Sequence, residues 1–217
     1  MSLIDRLYSL MIEIDVDYAI CGGHAIDLFL GNKTRPHKDL DVSVFDEDRD
    51  IVIEYMLCCG WEIYEPCGAE FLHKITNVKN QKRVKTNIWC VKSGNPHYRF
   101  TEHEKDMYTV DFDDSEQQEL DYIEFLFNSR KGGSFLYSRN HDIELSLDRA
   151  ILHANGIPYL APEIVLLYKS TIADDPKYLL DFENASSKMS EAQVMWLKKA
   201  LVQMFPNGHI WLEIGKM

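Results

Sequence analysis

The chain has 217 residues, 46% of them hydrophobic and 27% charged, with a formal net charge of -12. That length is enough to bury a sizeable core in one domain or two small ones. The acidic balance speaks against a nucleic-acid partner, because proteins that bind phosphate backbones carry a basic patch to neutralise them.

Ser2 has the character of a helix cap with Asp5 three residues on, and Leu3, Leu7, Leu10, Met11 and Ile14 recur at helical spacing behind it. A short apolar strand, Tyr18 to Cys21, then meets the pair Gly22 and Gly23, which opens an amphipathic helix that Gly31 stops. A glycine pair at a helix N-terminus leaves backbone N–H groups open to close approach. The positive end of the helix dipole favours an anion there. After the basic loop Arg35-Pro36-His37-Lys38 comes a second strand, in which Leu40, Val42 and Val44 alternate with Asp39, Asp41 and Ser43. Period-two alternation puts both aspartates on one face. Adjacent carboxylates repel each other, and a hard divalent cation such as Mg2+ relieves that repulsion.

The wording Gly-Gly-His-Ala-Ile-Asp-Leu-Phe-Leu-Gly, followed by Thr-Arg-Pro-His-Lys-Asp-Leu-Asp-Val, resembles the nucleotidyltransferase superfamily with its DNA polymerase β-like fold. It is closest in wording to the aminoglycoside nucleotidyltransferase-like branch. The resemblance implies an α/β (α+β) fold, a mixed β-sheet with flanking helices followed by a helical C-terminal part. The corresponding division is a catalytic domain over 1–156 and a helical domain over 157–217.

Further along, Asp48 to Cys59 reads as a helix ended by Gly60, with Ile51, Tyr55, Met56 and Cys59 as its core positions. Short strands follow at Trp61–Tyr64, Phe71–Ile75 and Val84–Val91. Lys74, Lys79, Lys82, Arg83 and Lys85 form a basic cluster among them, either a phosphate contact or a solvated hairpin. Acidic residues dominate from Glu102 to Glu124, Asp113 and Asp114 among them; the first part reads as a loop, and Leu120 to Phe127 as a strand. Glu124, set between Ile123 and Phe125, is a charge in an apolar strand, and such a group needs a partner. A phosphoryl-transfer site needs a third carboxylate to help hold metal and accept a proton. Glu124 fills that role, with Asp121 on the opposite strand parity as the alternative.

The likeness continues at Phe135 to Ile143, where Arg139 is either a phosphate or substrate contact or a surface ion pair. It continues again in the Ala161-Pro162-Glu163 to Tyr168-Lys169 helix, which has proline in its first turn and Ile164, Leu167 and Tyr168 as a buried stripe. Helices are expected at Asp175–Asn184 and Ser190–Phe205. By the resemblance, Gly22, Gly23, His24, Arg35 and Lys169 bind nucleotide, and Asp39, Asp41 and Glu124 are catalytic and hold metal. Arg139 and Asp181 meet substrate. The implied activity is Mg2+-dependent transfer, with two ions, of a nucleoside monophosphate from an NTP, ATP above others, to a hydroxyl of a small acceptor, an aminoglycoside or lincosamide. The competing reading is a regulatory, antitoxin-like binding protein that keeps the fold without transfer.

Five cysteines, an odd count without CxxC or zinc-type Cys-His spacing, read as reduced thiols in a cytoplasm. No basic-then-apolar leader and no apolar run of about eighteen residues appear, so neither a signal peptide nor a membrane partner is expected.

Overall fold

The computed structural model describes residues 1–112 and 115–214, so Asp113 and Asp114 of the acidic stretch lie outside the described residues. In chain order the elements are α1 (Leu3–Met11), β1 (Tyr18–Ile20), α2 (Gly22–Leu30), β2 (Asp41–Phe45), α3 (Arg49–Cys58), β3 (Trp61–Gly68), β4 (Phe71–Ile75), β5 (Asn87–Lys92), β6 (Tyr98–Glu104), β7 (Met107–Phe112) and β8 (Tyr122–Lys131). There follow β9 (Ser134–Leu136), β10 (Glu144–Ser146), α4 (Leu147–Ala150), β11 (Ile151–Ala154), β12 (Ile157–Leu160), α5 (Pro162–Lys169), α6 (Pro176–Ser186), α7 (Glu191–Met204) and α8 (Ile210–Ile214). The mix of sheet and flanking helices is the α/β class expected from the sequence. The chain forms two compact units, Met1–Tyr18 with Pro36–Asn128, and Ala19–Arg35 with Ser129–Met217.

In the first unit the strands lie in the order β2, β8, β5, β3, β4, β7, β6; β2 and β8 are parallel and the other neighbours antiparallel. One face is mostly apolar: Val42, Val44, Ile63, Ile88, Cys90, Ile123 and Phe125 are buried, as are Leu7 and Met11 of α1 and Val52, Ile53 and Met56 of α3, and the buried charges Arg49, Glu65 and His73 pair with one another beside them. Each large apolar side chain contributes roughly 1.5–3 kcal/mol when taken out of water. Helix α1 starts where the sequence places it, with Ser2 and Asp5 closing a reciprocal capping box.

Three expectations need correction here. The buried face of α3 is Arg49, Val52, Ile53 and Met56; Met56 stands as expected, while Ile51 and Cys59 are exposed and Tyr55 only partly covered, so the stripe turns towards Val52 and Ile53. Val84 is exposed and β5 begins at Asn87. Residues 98–104 and 107–112 pair as an antiparallel hairpin, although the stretch from Glu102 onward reads as a loop in the sequence. The reason for the hairpin is a second apolar cluster on the other sheet face: Tyr98, Phe100, Tyr108 and Val110 pack against Tyr64, Leu72, Val91 and Tyr122. Although β6 is far from β8 in the strand order, the Tyr98 ring stacks on Tyr122 with centroids 4.7 Å apart, so this sheet curls strongly on itself. In the basic cluster Lys74 meets Glu62 at 3.1 Å and Arg83 meets Asp50 at 2.8 Å, while Lys79, Lys82, Arg83 and Lys85 are exposed.

In the second unit β12 pairs parallel with β1 and antiparallel with β11, while β9 pairs with β10 and with residues 129–131 of β8. The β11–β12 pair was not expected from the sequence. Helix α5 starts with Pro162 at its first turn and is buried on nearly every side, Glu163 and Lys169 included, a wider apolar surface than the expected stripe. Helices α6 and α7 match their expected spans to within two residues. Among the described residues no helix is long and apolar enough to cross a membrane.

Candidate functional site

The first unit gathers the carboxylates. Strand β2 is parallel to β8 in a register that sets Asp41 opposite Glu124, and the Glu124 backbone N–H donates to the carbonyl of Leu40 at 2.9 Å. The residue that accepts this bond is flanked by Asp39 and Asp41, so the same ladder that fixes β2 fixes both aspartates beside Glu124. Asp39 precedes the strand and is exposed; Asp41 and Glu124 are partly buried. The remaining strand residues of β2 are all buried, Ser43 included, which accepts from Asn128 at 2.8 Å. Asp121 lies outside β8, and its carboxyl accepts from the Gln117 amide at 3.4 Å.

Burial pushes the Glu124 carboxyl up to about 7, and the nearby charge of Asp39 adds to the rise, against hydrogen bonds that favour the charged form. The shortest of these comes from the Asn87 amide to Oε1 at 2.6 Å, and the Tyr122 hydroxyl donates to Oε2 at 3.4 Å. The Trp89 indole N–H is buried without a hydrogen bond of good geometry, yet lies near enough to favour the carboxylate. Burial, then the charge of Glu124, and further the charges of Asp41 and Asp39, hold Tyr122 well above the ordinary tyrosine value, so its hydroxyl stays a donor. Asn87 and Tyr122 were missed in the sequence. Their only signal is parity: Asn87, Trp89, Tyr122 and Glu124 share one face of paired strands.

The chemistry of this donor set fits a hard divalent cation. Oxygen ligands of like charge raise one another's pKa and are relieved by Mg2+.

The second unit gathers the cations and the helix terminus. Gly22 and Gly23 open α2 behind the extended Cys21, and Gly22 has φ +64, a conformation that a side chain would strain. His24 follows in the first turn of the helix. At the other end Gly31, at φ +75, donates to the Asp27 carbonyl and turns the chain out. Asp27 then accepts from the Thr34 backbone N–H at 2.9 Å and the Thr34 hydroxyl at 2.7 Å, which fixes the loop leading to Arg35.

Arg35 donates through Nε and Nη2 to the two oxygens of Asp181, each at 2.9 Å, and Lys169 donates to the same carboxyl at 2.9 Å. The Lys169 ammonium also lies 4.4 Å from the Tyr178 ring centroid. Asp181 is fully buried. Burial raises its pKa, but the bonds and charges of Arg35 and Lys169 outweigh that and hold it below the usual carboxylate value. Two cations thus share one carboxylate. Arg139 is engaged elsewhere in this unit, with the Tyr168 carbonyl at 2.9 Å and the Thr171 hydroxyl at 3.0 Å.

Over residues 3–63 the sequence matches the family model of the aminoglycoside-2''-adenylyltransferases, a span that includes both Gly22-Gly23 and Asp39-Leu40-Asp41. A solution structure of the antibiotic-resistance factor ANT(2'')-Ia superimposes with a TM-score of 0.52 at 15% identity, covering 94% of this chain and 91% of that one. The fold is that of the antibiotic nucleotidyltransferases. A crystal structure of the lincosamide antibiotic adenylyltransferase LnuA with lincomycin bound gives 0.52 at 14% identity over 86% of this chain and 96% of LnuA. One of ANT(2'')-Ia with adenylyl-2''-tobramycin gives 0.51 at 13% over 93% and 97%. None of the curated proteins compared with the chain matches it. The resemblance read from the Gly-Gly and Asp-x-Asp wording therefore extends to the fold of nearly the whole chain.

Proposed function

We propose that the protein is a nucleotidyltransferase that moves a nucleoside monophosphate, AMP from ATP, onto a hydroxyl of a small cationic acceptor of the aminoglycoside or lincosamide class. The observation that carries this reading is the register of Asp41 with Glu124, under the charge of Asp39. A stable strand pair has no use for mutually repelling carboxylates unless a cation answers them. Asp39, Asp41 and Glu124 would hold Mg2+, which when bound supplies charge neutralisation on the phosphates and on the attacking oxygen. Gly22 and Gly23 offer backbone N–H groups to the β and γ phosphates, with His24 beside them. Arg35 and Lys169 favour the same anion. Asp181 acts through these two cations, which it fixes in place. Glu124, held as a carboxylate by the cation, would take the proton of the acceptor hydroxyl.

The acceptor class draws support from the tobramycin and lincomycin complexes of the similar folds and from the acidic residues between Glu102 and Glu124. Arg139 is left as a substrate contact at the edge of α5. The test is incubation with labelled ATP, GTP, CTP or UTP, Mg2+ and a panel of aminoglycosides and lincosamides, beside an Asp39→Ala, Asp41→Ala variant. Label transferred by the unaltered protein and lost in the variant is the expected result. If no NTP binds with Mg2+ present, even by thermal shift, the reading fails.

A further inference from the structure

We infer that Asn87 and Tyr122 are positioning residues that hold Glu124 in the geometry a divalent cation needs, and that the β6–β7 hairpin braces them through Tyr98. The inference rests on the reading of Glu124 as a metal ligand. A glutamate has three side-chain torsions, and in a strand it sweeps a wide arc; a ligand that is free to do so loses affinity to the entropy of being fixed. Here both oxygens are engaged before any ion arrives. The Asn87 amide donates to Oε1 at 2.6 Å and the Tyr122 hydroxyl to Oε2 at 3.4 Å, while each oxygen keeps a lone pair for a cation.

The donors are themselves fixed. Asn87 is the first residue of β5, in register with Leu126 of β8, and the N–H of Phe127 donates to the carbonyl of its neighbour Thr86 at 2.7 Å. Tyr122 is 4% exposed, stacked on Tyr98 at 4.7 Å and meeting the Trp89 ring edge-on at 6.1 Å. Tyr98 in turn stacks at 6.1 Å on Phe112, its partner across the hairpin. A line of aromatic rings thus runs from the hairpin to the hydroxyl that holds Glu124. Outer partners of metal-binding carboxylates typically contribute 10–100-fold in metal affinity or activity.

The experiment titrates Mn2+ into the full-length protein, with α,β-methylene-ATP present, and counts free ion by electron paramagnetic resonance; circular dichroism and thermal melting check the fold of each variant. Asn87→Ala is expected to weaken Mn2+ about tenfold or more. Tyr122→Phe, which deletes one hydroxyl and no packing, is expected to weaken it by a smaller factor. In the Glu124→Gln background neither change has a further effect, because the charged ligand they position is gone. With an acceptor in hand, both variants lower kcat and leave the KM for NTP near its original value. Undiminished Mn2+ affinity in folded Asn87→Ala and Tyr122→Phe, with Glu124→Gln impaired, overturns the positioning role alone. Undiminished affinity in Glu124→Gln overturns the metal-ligand reading and the positioning role with it. Losses that add in the double variants show that Asn87 acts by another route, which also sinks the proposal.

Discussion

Glu124 and Asp181 are the same functional group in opposite surroundings. Around Glu124 burial and the Asp39 charge raise the pKa to about 7, against hydrogen bonds that come from the neutral donors Asn87 and Tyr122. Around Asp181 stand a guanidinium and an ammonium, and its pKa falls although the residue is fully buried. One carboxyl stands among carboxylates, and the other is held between two cations. A carboxylate bonded to two cations is answered within the fold, whereas a carboxylate beside carboxylates is an unfinished electrostatic arrangement, which a cation would complete.

The strongest way to break this contrast is to remove a carboxylate from the unfinished side. Asp41→Ala is expected to lower nucleotidyl transfer by about a thousandfold, the equivalent of about 4 kcal/mol, with little loss of fold. Single-turnover transfer of labelled AMP measures it. Retained transfer would show that the Asp41–Glu124 register is a structural accident.

On the finished side the expected effect is on stability. Asp181→Ala removes the buried carboxylate that Arg35 and Lys169 share, and breaking a buried pair in this way typically costs about 3–5 kcal/mol. Urea denaturation followed by fluorescence should show the midpoint fall accordingly. The pH sign also follows. A carboxyl whose folded pKa is lowered contributes stability that is fully present above its unfolded value, near 3.8, and is lost as pH falls through the folded value. The unaltered protein should therefore lose part of its stability in acid, and Asp181→Asn should flatten that limb.

Glu124 gives the opposite slope. Its folded pKa lies above the unfolded 4.5, so its contribution is fully present below about pH 4.5 and is lost as pH rises through about 7. In metal-free protein, Glu124→Gln should raise the melting temperature at pH 8 by a few degrees, on the order of 5 °C, and leave it nearly unchanged at pH 4.5. Saturating Mg2+ should remove the alkaline loss in the unaltered protein, because a bound cation favours the carboxylate. A Glu124→Gln protein that melts lower than its parent at pH 8 without metal would contradict the charge environment described for this residue.

How much of this was legible in the chain differs between the two clusters. The Gly22-Gly23 helix start and the Asp39, Asp41 pair are local, set by a turn and a two-residue period, and both stand close to where the sequence puts them. The Arg35, Lys169, Asp181 cluster spans almost 150 positions along the chain; for Asp181 the sequence leaves open whether it orients Lys169 or caps a helix, and Arg35 could be named but not joined to them, because no local period links the three. Asn87 and the β6–β7 hairpin were not legible. Asn87 matters only through a cross-strand register, and the hairpin's apolar alternation at Tyr98, Phe100, Tyr108 and Val110 was masked by the glutamates and aspartates between. The α3 face turns towards Val52 and Ile53 for a similar reason: Ile51, Val52 and Ile53 are consecutive, and only the fold decides which of them point inward.

The smallest expected effect is also the sharpest on the choice of the third carboxylate. Asp121 and Glu124 are three residues apart in one acidic stretch, and either could be named from sequence. Asp121 precedes β8, faces no partner strand of the Asp41 pair in register, and its carboxyl takes a long 3.4 Å bond from Gln117. A change at such a position normally falls within about 0.5 kcal/mol. Asp121→Asn should therefore leave stability, Mn2+ affinity and transfer within about twofold of the parent, since the amide can still accept from Gln117. Glu124→Gln, equally conservative in shape, removes the charge that sits opposite Asp41. Measured side by side, equal losses in the two variants would mean that the acidic stretch acts through its summed field; a loss confined to Glu124→Gln ties the chemistry to the β2–β8 register.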